Sequence, residues 1–149
     1  MNKLTLCIAL ATLLGATSAD AQPRRQQEYV LVVAGSSKHM DIASLVAALR
    51  ANPGGTNCGA GHTGSTPGGR ESCNSFGRST GTSFTTVPSR SFKDMVSDLN
   101  AGMVEFGMLS LDEAQTWITS GKLRALVVSA GAEPSPLPGV PTLSQAGLR

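Results

Sequence analysis

Aromatic side chains are scarce: one Trp, one Tyr and four Phe, 4% of 149 residues. So few rings leave little stacking surface for a single-stranded nucleic acid. Charge is sparse as well. Only 15% of residues are charged and the net is +2, so no basic field selects a nucleic acid partner. The same counts exclude a charge-rich disordered chain. The 17 glycines follow no Gly-x-y period, which excludes a collagen-like helix. Of three cysteines, Cys58 and Cys73 lie beyond the first residues, and with the two histidines their spacing makes no zinc site, so no metal is expected. Beyond the first residues no apolar run reaches membrane length, so the mature chain is not expected to insert into a membrane. The length suits one domain of ordinary size.

What is there begins with an export signal. Lys3 supplies the positive start, residues 4–16 are mostly apolar, and Ala19-Asp20-Ala21 has the form of a cleavage site. Residues 1–21 therefore read as a signal peptide cleaved after Ala21. Cleavage removes one Lys and one Asp, which leaves the net charge unchanged. Residues 22–28 form a polar tail, and residues 29–149 form a single α/β lobe. Cys58 and Cys73 remain after cleavage. An oxidising compartment permits a disulfide between them, contributing about 3 kcal/mol in the chain-entropy view. Two free thiols fit the sequence equally.

Periodicity predicts alternating elements. Residues 29–33 are a β-branched run, read as a buried strand. Asp41 caps a helix in which Ile42, Leu45, Val46 and Leu49 share one face. Residues 56–58 lead as a strand into a glycine-rich loop at 59–69. Residues 71–77 read as a poor helix, interrupted by Gly77 and Gly81. A third strand at 83–87 precedes a helix opened by Ser91 and closed by Gly102. A strand at 104–109, a helix at 111–120 and a strand at 123–128 follow. Four prolines between 134 and 141 predict an extended connection. Thr142 and Gln145 suggest a capped final turn. His39 reads as part of a polar turn, and Lys122 and Arg124 as solvated strand positions. The alternation implies a three-layer α/β/α arrangement with a mostly parallel sheet, binding ligands at the carboxyl ends of its strands.

The glycine-rich loop matches two nucleotide motifs only in part. Gly59, Gly61 and Gly64 have the G-x-G-x-x-G spacing, but no acidic residue follows at the end of the next strand, 85–87. Ser65 stands where a Walker loop requires lysine. No cofactor is expected. What survives is the physics of such loops: inward-facing N–H groups and a helix start that favour an anion. Gly61, His62, Thr63, Gly64, Ser65 and Thr66 are the candidate ligand-binding residues. No G-x-S-x-G elbow and no catalytic constellation is present.

Several segments together resemble one receptor family. Residues 120–128 (SGKLRALVV) resemble its "AGKLRALAV" strand, and residues 137–142 (LPGVPT) its "LPDVPT" element. Residues 145–148 (QAGL), 98–106 (DLNAGMVEF) and Val87-Pro88 are similar to "EAGL", "DLLGGQVDL" and the start of "VPY". The family is the periplasmic substrate-binding receptors of tripartite tricarboxylate transporters, the Bug receptors. The resemblance implies a type II periplasmic-binding-protein fold, of which this chain resembles the second lobe only. It implies a truncated or internally deleted receptor, since no loop resembling "PFPAGGGTD" is found. It also implies a small carboxylate ligand, membrane permease subunits as partners and a periplasmic location. In the family a "GNGSTPHL" loop contacts the ligand carboxylate. Gly64-Ser65-Thr66-Pro67 matches its "GSTP", whereas Gly68-Gly69 look inserted and Arg70-Glu71 replace "HL". Leu109 stands where the family has an aspartate.

The resemblance predicts a solute receptor and not an enzyme. Two alternatives remain at this level. One is an exported hydrolase using Ser65 and His62, for which no acidic orienter is evident. The other is a binding or sensor module with no role in transport.

Overall fold

The computed structural model describes residues 28–61, 68–129 and 135–148. The predicted signal peptide at 1–21 and most of the polar tail lie outside them. The elements run β1 (Tyr29–Ala34), α1 (Ile42–Ala51), β2 (Asn57–Ala60), α2 (Gly68–Thr80), β3 (Thr85–Pro88), α3 (Phe92–Ala101), β4 (Phe106–Ser110), α4 (Leu111–Thr119) and β5 (Leu123–Val128). The strands form one five-stranded sheet in the order β3-β2-β4-β1-β5.

Helices cover both faces of the sheet. Helices α1 and α2 pack on one face through Leu45, Leu49, Cys73 and Phe76, against Leu31, Val33, Cys58 and Phe106. Helices α3 and α4 pack on the other through Met95, Leu99 and Ala114, against Val30, Val32, Leu109 and Val128. Strand β1 therefore splits its side chains between two cores, as a period of two requires. All six of its residues are buried. The few rings are spent on packing. Phe76, Phe84 and Phe106 cluster with centroids 5.1–6.3 Å apart, and Phe92 meets Trp117 at 5.9 Å on the other face.

Four strands share one direction and β1 opposes them. Strand β2 is parallel to β3 and β4, whereas β1 is antiparallel to both β4 and β5. The sheet is mostly parallel, but its first connection is not the βαβ crossover that simple alternation suggests. Reversal of β1 puts its amino end, Tyr29, at the edge where the other strands have their carboxyl ends.

Local capping matches the sequence reading. The Ser44 N–H donates to Asp41 Oδ1 at 2.7 Å, and the Asp94 N–H donates to Ser91 Oγ at 3.1 Å. The Ser44 N–H, and secondarily its hydroxyl, hold the Asp41 carboxyl below its ordinary value of 3.8. This cap is therefore at full strength above that pH and weakens as pH falls through the lowered value. Gly102 ends α3 at φ +74°, a conformation that favours glycine. Near the C-terminus, Gln145 N–H donates to Thr142 Oγ1 at 3.2 Å and Thr142 N–H to Gln145 Oε1 at 3.0 Å, a reciprocal capping box.

Four expectations are corrected. Helix α2 spans 13 residues and passes through Gly77 without a break. Tertiary packing overrides propensity there: a Cβ at Gly77 would come within 3.2 Å of the Phe84 ring, so the glycine makes room for that aromatic cluster. The described part of the proline-rich connection is not fully extended. Val140 N–H donates to the Leu137 carbonyl at 3.2 Å, and Gly139 has φ +76°. Pro138 followed by glycine at positive φ is a type II turn. His39 is buried, 3% exposed, with Nε2 at 2.9 Å from Glu105 Oε1. Arg124 is not a free surface cation. Its guanidinium donates to the carbonyls of Gly35 at 3.1 Å, Ser37 at 3.2 Å and His39 at 3.3 Å. Lys122 lies 5.1 Å from the Trp117 ring centroid.

The two readings of Arg124 predict different stabilities. Charged donors shared among carbonyls contribute more than neutral ones, so Arg124→Ala should lower the unfolding free energy by about 2 kcal/mol in urea titration. A loss below about 0.5 kcal/mol would mark a solvated side chain.

Candidate functional site at the carboxyl edge of the sheet

The crossovers through α2 and α3 lie on opposite faces, so the chain leaves β2 in one direction and returns to β4 on its other side. That topology opens a crevice between the carboxyl ends of β2 and β4, the place where open α/β sheets bind ligands. Gly61 closes β2 there, its N–H donating to the Met108 carbonyl at 3.3 Å. Helix α2 begins at Gly68. Of the predicted site residues, Gly61 stands at this edge. His62, Thr63, Gly64, Ser65 and Thr66 lie outside the described residues.

Both ends of that loop are anchored by close contacts. A Cβ on Gly69 would lie 2.5 Å from the Gly61 carbonyl oxygen and 3.0 Å from its nitrogen. A side chain at Gly68 would run into the Tyr29 ring. On the opposite face Gly59 and Gly107 are register partners, and a Cβ on either would press into Met95, at 2.9 Å from Sδ for Gly59 and 3.1 Å from Cε for Gly107. The paired glycines explain why the stretch read as loop from residue 59 continues as strand through Ala60: they form a hollow for Met95. A disulfide joins Cys58 to Cys73 across 15 positions, tying β2 to the body of α2, with both residues fully buried.

Residues with no local motif complete the edge. Ser129, one hundred positions from Tyr29, donates its N–H to the Tyr29 carbonyl at 2.7 Å. Its Oγ accepts from the Tyr29 N–H at 3.1 Å and donates to the Tyr29 carbonyl at 2.9 Å. Entry to β1 and exit from β5 are thus locked side by side. Such a pairing has no signature in sequence, because its partners are so distant. Ser110 Oγ donates to Glu113 Oε2 at 2.6 Å, so this first-turn acid of α4 serves its own helix start. Ser89, at the end of β3, is 7% exposed, and its Oγ has no hydrogen-bond partner among the described residues. Leu109 is buried against the α3 and α4 face, so the position that carries an aspartate in the resembled family supplies no acceptor here. Beside the first turn of α2 lies a cavity of about 260 Å³. No group of three or more metal-ligating side chains occurs among the described residues.

This arrangement defines one α/β lobe with Gly61 and Gly68 at its switch point. Residues 21–149 match the family described as "Tripartite tricarboxylate transporter family receptor", and the chain belongs to that family. It is a family of receptors, not of enzymes. The fold is similar to that of a periplasmic transporter, with TM-score 0.70 and 26% identity over 82% of this chain and 40% of that one. It is also similar to an R. palustris protein with adipate, with TM-score 0.71 and 29% identity over 81% of this chain and 40% of that one. A malate-bound protein from Rhodopseudomonas palustris shares the fold, with TM-score 0.70 and 22% identity over 82% of this chain and 41% of that one. The chain thus spans about 40% of the length of these solved structures. No curated protein matches it.

If Gly69 sets the approach of α2 to β2, alanine there must push backbone from backbone. Gly69→Ala should destabilise by about 1–3 kcal/mol in urea unfolding. Tolerance within about 0.5 kcal/mol would show that the approach is not a constraint.

Proposed function

We propose that this chain is the ligand-binding lobe of a periplasmic receptor that takes a small carboxylate and delivers it to membrane permease subunits of a tripartite transporter. The observation that carries the reading is the pinning of α2 by Gly69 onto the end of β2. That contact holds Gly61 and Gly68, the two flanks of the candidate loop, at the switch point, where N–H groups and the start of a helix favour an anion. Ser65 and Thr66 in that loop add hydroxyl donors. Family membership and a relative solved with adipate support a carboxylate as the ligand class. The signal-like residues 1–21, with cleavage after Ala21, support a periplasmic location. No helix among the described residues is long and apolar enough to cross a membrane. The Ser65 and His62 hydrolase gains no support from the family, and a non-transport sensor would use the same loop.

Affinity follows from how much of the ligand one lobe can enclose. A two-lobed receptor dries its ligand and supplies donors from both sides. A single wall leaves the site wet, where each hydrogen bond contributes only about 0.5–1.5 kcal/mol. Two or three such bonds must offset at least about 4 kcal/mol of lost translational and rotational freedom. Isothermal titration of the mature chain with citrate, succinate, glutamate and nicotinate should therefore give dissociation constants in the millimolar range or weaker, about −4 kcal/mol. The combined variant Ser65→Ala and Thr66→Ala should weaken binding further. A micromolar constant that survives this double substitution would refute the loop as the site.

A further inference from the structure

Helix α2 is fastened to the sheet by fewer apolar side chains than the other helices. Helix α1 buries Ile42, Leu45, Val46 and Leu49, and α3 buries Met95, Val96 and Leu99. Helix α4 adds Leu111, Trp117 and Ile118 to the buried Ala114. Helix α2 buries Gly69, Cys73, Phe76 and Thr80. Phe76, packed against Phe84 and Phe106, is its one large apolar anchor. Three glycines and three serines stand among its 13 residues. Such a sequence has little helical preference of its own, and a helix of this length is marginal without tertiary contacts.

The disulfide supplies the remaining hold. Cys58 lies in β2 and Cys73 near the middle of α2, with Cα atoms 6.6 Å apart. Joining them closes a segment of 15 positions, so a detached helix has far less freedom to gain. Both cysteines are 0% exposed. A thiol or disulfide reagent therefore reaches these sulfurs only when α2 lifts away from β2.

We propose that α2 is a redox-gated element: oxidation of Cys58 and Cys73 fixes it on the sheet, and reduction releases it while β1, β4, β5 and the other helices stay folded. The oxidant is a disulfide, of a small molecule or of a protein. One cysteine thiolate attacks it, forms a mixed disulfide and expels one thiol. The second cysteine thiolate then attacks the chain's own sulfur in that mixed disulfide, which closes the Cys58–Cys73 bond and expels the second thiol. Net, two electrons and two protons pass from the two cysteines to the oxidant, which leaves as two thiols. Both steps need accessible sulfurs, so oxidation precedes the final seating of α2, and that seating then shields the bond. Because Gly69 sets the start of α2 on Gly61, release also takes apart the carboxyl edge of the lobe.

The test is amide hydrogen exchange of the mature chain, oxidised and after reduction in denaturant and refolding with a phosphine reductant present. In the oxidised chain the amides of residues 70–80 should be protected at least about a hundredfold. In the reduced chain they should exchange within about tenfold of the rate of an unstructured peptide, while those of β1, β4 and β5 stay at least about a hundredfold slower than that rate. Iodoacetamide should alkylate both cysteines of the reduced chain at a rate that low urea leaves unchanged, since lifting one helix exposes little surface. A reduced chain whose residues 70–80 keep the protection of the oxidised one would overturn the proposal, because Phe76 and the glycine contacts would then suffice. Loss of protection in β1, β4 and β5 together with α2 would overturn it as well, because the bond would then hold the whole lobe and not one helix.

Discussion

Helix α2 can start where it does only because position 69 carries no side chain. The backbone of α2 lies directly on the last residues of β2, and a single methyl group at Gly69 would meet the Gly61 carbonyl oxygen at 2.5 Å. Interiors are packed too tightly to absorb such a clash without moving an element. The rest of the site inherits its geometry from that approach. It sets how far apart Gly61 and Gly68 stand. It also brings Gly68 against Tyr29 and fixes one wall of the cavity. The Cys58–Cys73 disulfide secures the same two elements five positions further in from Gly68 along α2 and two before Ala60 on β2. On the other face Gly59 and Gly107 admit Met95, which seats α3 against the same strands. Glycines account for both approaches, which gives a physical role to a residue type that is abundant here.

The reversed strand β1 makes the second contribution. Because it alone runs against its neighbours, the chain enters the lobe at the edge where β5 leaves it. Ser129 and Tyr29 fasten the two passes with three hydrogen bonds. After β5 the chain folds back so that Thr142 bridges to Val128 and covers part of that outer strand, which protects an edge otherwise open to pairing. The opposite end of the strands is held by different chemistry. There Arg124 gathers three carbonyls and the buried His39 meets Glu105, so the polar residues of that side are occupied with structure.

The legible features were the local ones. Asp41 and Ser91 were readable as caps because an N-cap needs only a short polar side chain three residues before its donor. Strand β5 was readable because a short apolar run, interrupted by Arg124 alone, follows the turn signal at Gly121. The Thr142 and Gln145 box was readable for the same reason as the caps. The features that sequence did not disclose depend on partners far away. The direction of β1 is set by β4 and β5, near the other end of the chain. Helix α2 has poor intrinsic propensity and is held by Cys73, Phe76 and a glycine that accommodates Phe84. Arg124 alternates with apolar neighbours as a solvated residue would, and only the folded 35–39 segment gives it carbonyls to bind. For the site, glycines, hydroxyls and family likeness pointed to the loop at 61–66, of which Gly61 alone is among the described residues. Tyr29, Ser129 and the cavity were not, because they come together only at the sheet edge.

The account places ligand contact at the carboxyl edge, around the start of α2. The most direct test is a residue-resolved amide shift titration of the mature chain with adipate. The account predicts saturable shifts concentrated at Gly61, at Gly68 through Ser72, and at Tyr29 and Ser129, with the Arg124 and His39 side of the sheet unmoved. Shifts centred on His39, Glu105 and Arg124, with the start of α2 unchanged, would contradict it.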